Sequence, residues 1–158
     1  MIVNVIFVCT GNTCRSPMAE AFARKLATER GLRDITFSSA GTSAFEGNPA
    51  SDAAVLVGLE RGVDLSLHRS RALDALTLDN DTIALALSES HLRTIRAIAP
   101  HVRAYLLHDF ATRGEGRRSV RDPFGGDLEE YRAAADDIEA MLAGVIDRLL
   151  AEQQSRAH

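Results

Sequence analysis

The sequence predicts an α/β fold: a single domain on a largely parallel four-stranded sheet with helices on both faces. Two observations carry this. Strand-like runs at 2–8, 34–39, 82–87 and 103–107 alternate with helical patterns at 17–30, 50–61, 89–99 and 128–152, the order expected of strand–helix–strand crossovers. The chain has 158 residues, 46% of them apolar, which suits one compact domain with a sizeable core.

Each element has a local reason. The first run, Ile-Val-Asn-Val-Ile-Phe-Val over 2–8, is rich in β-branched side chains and reads as a buried strand. Pro17 opens the first helical pattern, through Leu26, and sits in its first turn at no cost in hydrogen bonds. Gly41 to Pro49 reads as a loop beside the functional edge. In the last helix, Asp127 and Glu130 form a capping-box pattern. Leu128, Tyr131, Ala135, Ile138, Met141, Leu142, Val145 and Leu149 then give an apolar stripe for ordinary packing. The domain is expected over 1–152, with 153–158 as a polar, fraying tail.

Between the first strand and first helix stands Cys9-Thr10-Gly11-Asn12-Thr13-Cys14-Arg15-Ser16-Pro17. Unpaired N–H groups of such a turn and helix start can converge on an anion. Gly11 is expected to permit a turn that other residues resist. Arg15 can fold back and offer two parallel donors to the same anion. That positive surrounding favours a thiolate on Cys9, and Ser16 can hydrogen-bond the sulfur. A buried cysteine at a strand end is more often a small hydrophobe. The whole string between a strand and a helix points instead to a nucleophile on the floor of an anion site.

With this loop the chain resembles the low-molecular-weight protein phosphatases. The likeness continues in order through Met18-Ala-Glu20, Ser39-Ala-Gly-Thr42, His68-Arg-Ser-Arg71, Ser88-Glu-Ser-His-Leu92 and Asp122-Pro-Phe-Gly-Gly126. It implies a Rossmann-like sheet of strand order 2-1-3-4 with the site at its C-terminal edge. It also implies that Cys9 becomes a phosphocysteine, that Arg15 binds the transition state, and that Thr10, Gly11, Asn12, Thr13, Cys14 and Ser16 help hold the phosphoryl group. Asn12, Ser39 and His68 match the polar residues that keep the family's loop in shape. No cofactor is implied. The expected partners are phosphorylated proteins, with inorganic phosphate as product and inhibitor.

Phosphoryl transfer to a thiolate needs a proton for the leaving group. Asp122 is the best local acid, restrained by Pro123 and followed by an aromatic and two glycines; taken alone, Asp-Pro also marks a plain surface turn. The resemblance makes Asp122 the general acid and base and Phe124 the aromatic wall beside the substrate. Asp109 is the reserve choice. Tyrosine-directed members commonly carry a larger aliphatic residue after the nucleophile, where this chain has Thr10. The branch resembling bacterial protein-arginine phosphatases has threonine there, so phosphoarginine is the favoured substrate and phosphotyrosine the alternative.

Cys14 is either packed or, as the resemblance implies, a partner for a reversible, protective disulfide with Cys9. Two cysteines argue against a disulfide framework. Thioredoxin-coupled arsenate reductases of this likeness need further cysteines, and none follows Cys14. A phosphoprotein-binding module would not explain the cysteine and acid together, and the Cys9–Cys14 spacing is not the C-x-x-C of thiol oxidoreductases. The five histidines lack paired ligand spacing, so no metal is expected. A net charge of −4 gives no case for nucleic acid. No membrane span or secretory segment is expected either, and a cytoplasmic monomer is the reading. Arg113, Arg117, Arg118 and Arg121 form a basic run before Asp122, read as solvent-facing or as a guide for acidic substrates.

Overall fold

A computed structural model describes residues 2–114 and 118–156. Four parallel strands, β1 (Val3–Cys9), β2 (Ile35–Gly41), β3 (Thr82–Ala86) and β4 (Arg103–Leu106), stand in the order β2-β1-β3-β4. The helices are α1 (Arg15–Glu29), α2 (Asp52–Glu60), α3 (Glu89–Ile98), α4 (Leu107–Thr112) and α5 (Leu128–Arg156). The expected fold and strand order are both present. The short α4 and a 3-10 turn at Ala75–Thr77 were not expected.

Alternation along β1 decides the layers. Val5 and Phe7 face one core with Met18, Phe22, Ile138, Leu142 and Val145 of α1 and α5. Ile6 and Val8 face the other, with Leu92 and Ile95 of α3. Side chains on both faces of a central parallel strand are therefore expected to be apolar, as they are from Val5 to Val8. Each fully buried Leu, Ile or Phe contributes roughly 1.5–3 kcal/mol relative to exposure. The stripe expected on the last helix is buried from Tyr131 to Leu149, with Leu128 partly so.

Most element ends shift by a residue or two from those the sequence suggests, and three of the differences have a local reason. Helix α1 begins at Arg15 with Cys14 as its N-cap, so Pro17 lies within the first turn rather than opening it. Strand β2 continues to Gly41 because that residue still pairs with Cys9. Helix α5 runs to Arg156, through most of the stretch read as a tail, because Ala151-Glu-Gln-Gln keeps good helix propensity. Asp127 Oδ1 accepts from Glu130 N at 3.0 Å, one arm of the expected capping box. Among the described residues no helix is long and apolar enough to cross a membrane. Arg117 of the basic run lies outside the described residues.

Candidate active site

The end of β1 delivers Cys9 to the C-terminal edge of the sheet, and α1 starts at Arg15 on the far side of a short turn. Among the described residues no backbone N–H of residues 10–15 donates to another backbone group. These groups are the donors an anion would receive. Cys9 is buried and its Sγ lies 2.8 Å from Ser16 Oγ.

Asn12 holds the loop from below. Its backbone is left-handed (φ 55°) and its side chain is fully buried. Nδ2 donates to Ser16 Oγ at 2.8 Å and Ser39 Oγ at 2.9 Å, while Oδ1 accepts from Arg71 N at 3.0 Å. His68 Nε2 lies 2.7 Å from the Asn12 carbonyl oxygen. Ser39 in turn donates to Glu20 Oε1 at 2.8 Å, and Glu20 pairs with Arg24. Asn12, Ser39 and His68 thus meet beneath the loop. Glu20 and Arg71, to which the sequence alone assigns no role, complete the set.

The turn is not made where the sequence suggested. Gly11 is not at positive φ, and a Cβ there would meet only Thr13 Oγ1 at an ordinary 3.6 Å. Asn12 takes the left-handed position instead, which asparagine tolerates better than most residues. The glycine the loop does need is Gly41. A Cβ at Gly41 would stand 2.4 Å from the Thr10 carbonyl oxygen and 3.0 Å from Asn12 N. Its absence lets Thr42 N and Ser43 N bond the Cys9 and Thr10 carbonyls, both at 2.9 Å.

Arg15 folds back over this loop. Its guanidinium is buried, donating from Nη1 to the Val120 carbonyl at 3.1 Å and standing with Nη2 3.5 Å from Asp122 Oδ2. Val120 N bonds the Leu87 carbonyl past the end of β3, which fixes the loop carrying Asp122 to the sheet. Asp122 Oδ1 accepts from Phe124 N at 3.0 Å. Cys9, Thr10, Gly11, Thr13, Cys14, Arg15, Asp122 and Phe124 line one cleft of about 180 Å3. Asn12 and Ser16 are fully buried and are not among the residues that line this cleft. Asp109 is elsewhere, on α4 beside a separate cavity with Tyr105 and Arg148. Of the basic run, Arg118 pairs with Asp137 at 2.9 Å.

Two more side chains reach the loop without having been foreseen. His91 of α3 is buried with Nε2 2.8 Å from Thr10 Oγ1 and Nδ1 2.9 Å from Ser88 Oγ. Burial, and then the charge of Arg15, lower its pKa to about 4, although Asp122 pulls the other way. Tyr131 OH stands 3.3 Å from both Cys14 Sγ and Ser51 Oγ, and burial is the main reason its pKa is pushed up to about 12.

A thiol under converging N–H groups, closed over by an arginine with a carboxylate beside it, is the equipment of a cysteine-dependent phosphatase. The family model described as "Low molecular weight phosphotyrosine protein phosphatase" matches residues 4–155. The protein-arginine-phosphatase of Geobacillus stearothermophilus is 37% identical over 155 residues, covering 97% of this chain and 100% of that protein. The low molecular weight protein-tyrosine-phosphatase of Streptomyces coelicolor is 33% identical over 165 residues, covering 99% of both. The solved structure of YwlE arginine phosphatase from G. stearothermophilus matches with a TM-score of 0.88 at 36% identity, over 99% of this chain and 98% of that one. The chain belongs to the low molecular weight phosphatase family.

Proposed function

We propose that this protein hydrolyses phosphoarginine on protein substrates through a phosphocysteine intermediate. The observation that carries the choice of substrate is the pair of acceptors at the cleft. Thr10 and the half-exposed carboxyl group of Asp122, one oxygen of which accepts while the other carries the proton to be donated, both line it, and a guanidino leaving group presents N–H donors. The likeness to a protein-arginine-phosphatase over the whole chain supports the same reading.

In the first step the Cys9 thiolate attacks phosphorus and the P–S bond forms as the P–N bond breaks. The electron pair of that bond goes to the guanidine nitrogen, which takes a proton from Asp122. Arg15 and the N–H groups of residues 10–15 hold the three phosphoryl oxygens as charge builds on them. In the second step water attacks phosphorus, Asp122 takes its proton, and the P–S electrons return to sulfur. Inorganic phosphate leaves and, fitting the same cradle, inhibits. Ser16 stabilises the sulfur as leaving group. Cys14, which lines the same cleft as Cys9, is the redox partner in this reading, and the setting is cytoplasmic. The protein acts as a monomer.

Phosphotyrosine is the second reading. Phe124 is 77% exposed beside the cleft and can stack on a phenol ring. Measuring kcat/KM on matched phosphoarginine and phosphotyrosine peptides, with Cys9→Ser as control, separates the two. A strong arginine preference lost in the control is expected. Equal or tyrosine-favoured turnover overturns the substrate assignment and leaves the phosphatase.

A further inference from the structure

His91 takes no part in the two steps above, yet it touches the residue on which substrate choice depends. It is 2% exposed, and its ring bridges two hydroxyls, Thr10 on one side and Ser88 on the other. With its pKa lowered to about 4, the ring is neutral near neutral pH. A neutral imidazole has one N–H and one lone pair, so each bridged hydroxyl is committed to a different role.

The surroundings choose between the two tautomers. Nε2 faces the loop, where Arg15 and the open N–H groups of residues 10–15 make the local field positive. A lone pair is favoured on the nitrogen nearer that field. Nδ1–H then donates to Ser88 Oγ, and the Thr10 hydroxyl donates its hydrogen to Nε2. The remaining lone pairs of Thr10 are left for the cleft, where they can accept but not donate.

We propose that His91 is a positioning residue: it fixes Thr10 as a hydrogen-bond acceptor and so selects a guanidino over a phenolic leaving group. A guanidino group has N–H donors to match. The ester oxygen of phosphotyrosine has only lone pairs, and meets an acceptor it cannot pair with. This inference rests on the phosphoarginine reading.

The test compares kcat/KM for matched phosphoarginine and phosphotyrosine peptides in wild type, His91→Phe, His91→Gln, Thr10→Val and the His91→Phe/Thr10→Val double variant. His91→Phe lowers the arginine-to-tyrosine ratio roughly tenfold, the worth of one hydrogen bond. Glutamine, whose amide oxygen can accept from Thr10, restores most of it, and the double variant falls no further than Thr10→Val. Nitrogen-15 shifts of His91 in the wild-type protein report the tautomer directly, whatever the variants do to folding. Nδ1 is expected protonated and Nε2 bare. The Nε2–H tautomer, or an unchanged ratio in folded His91→Phe, overturns the inference alone. A wild type with no arginine preference overturns the phosphoarginine reading, and this inference with it.

Discussion

On one side of the cleft the Cys9–Arg15 loop is buried and tied at many of its polar atoms: Asn12 bonds Ser16, Ser39 and Arg71, His68 bonds the Asn12 carbonyl, and β2 packs a glycine against Thr10. On the other side Asp122 is 52% exposed and Phe124 77%, and this rim rests on the Arg15 contact, a short turn and the Val120–Leu87 bond. The nucleophile side has to be shaped before an anion arrives, because amides pointing inward repel one another when the site is empty. In the proposed mechanism the acid side has to admit a leaving group attached to a protein, protonate it and let it go. Stiffness and openness are divided between the two walls accordingly.

Removing the nucleophile gives the largest effect. Cys9→Ser is expected to lower kcat on the order of 10⁴-fold or more while the fold is kept, and a circular-dichroism melt within a few degrees of wild type checks that only chemistry was lost. Asp122→Asn follows, with kcat reduced about 10²–10³-fold and little change in stability, since the group is half-exposed; steady-state kinetics beside a melt show both. Asn12→Ala attacks the stiff wall itself. It leaves buried partners unpaired and puts alanine at positive φ, so a stability loss of about 3 kcal/mol is expected, a fall in Tm of roughly 6–12 °C, together with loss of activity. An Asp122→Asn variant that melts earlier than Asn12→Ala would break the division between the walls.

The stiff wall also carries a pH signature. Unfolded, His91 titrates near its ordinary 6.5; folded, near 4. The unfolded chain therefore binds the extra proton across this window, and the folded state loses up to about 3 kcal/mol as pH falls from 6.5 to 4. Urea unfolding at several pH values should show that loss in wild type and a flatter curve in His91→Gln; equal slopes in both would remove His91 as the cause. The smallest effect is expected at the open wall, where Phe124→Ala should raise KM a few-fold with kcat nearly kept, as read from initial rates on a phosphopeptide series.

The strands were legible because buried parallel strands are short, continuous apolar runs, and the loop was legible because so many site residues sit in one string. Long-range partners were not. Thr10 and His91 are 81 positions apart, and a single histidine on a helix says nothing about which hydroxyl it meets. Gly41 matters only because the Thr10 carbonyl passes over it, which no local pattern encodes. The left-handed residue was open to a better reading, since asparagine after glycine is itself a candidate for positive φ. Asp109 could not be set aside from sequence, as it too lies near a basic loop; the structure puts it on α4, outside the cleft.

In the proposed mechanism Cys9, on the tightly bonded wall, takes the phosphoryl group before water does. A rapid quench into denaturant at mildly alkaline pH, which spares the acid-labile P–N and P–S bonds, during a single turnover of a phosphoarginine peptide, followed by peptide mapping, tests it most directly. Phosphate bound to Cys9 at early times, decaying as inorganic phosphate appears, is the predicted result. Full release of phosphate with no covalent phosphate on Cys9 at any quench time would contradict it.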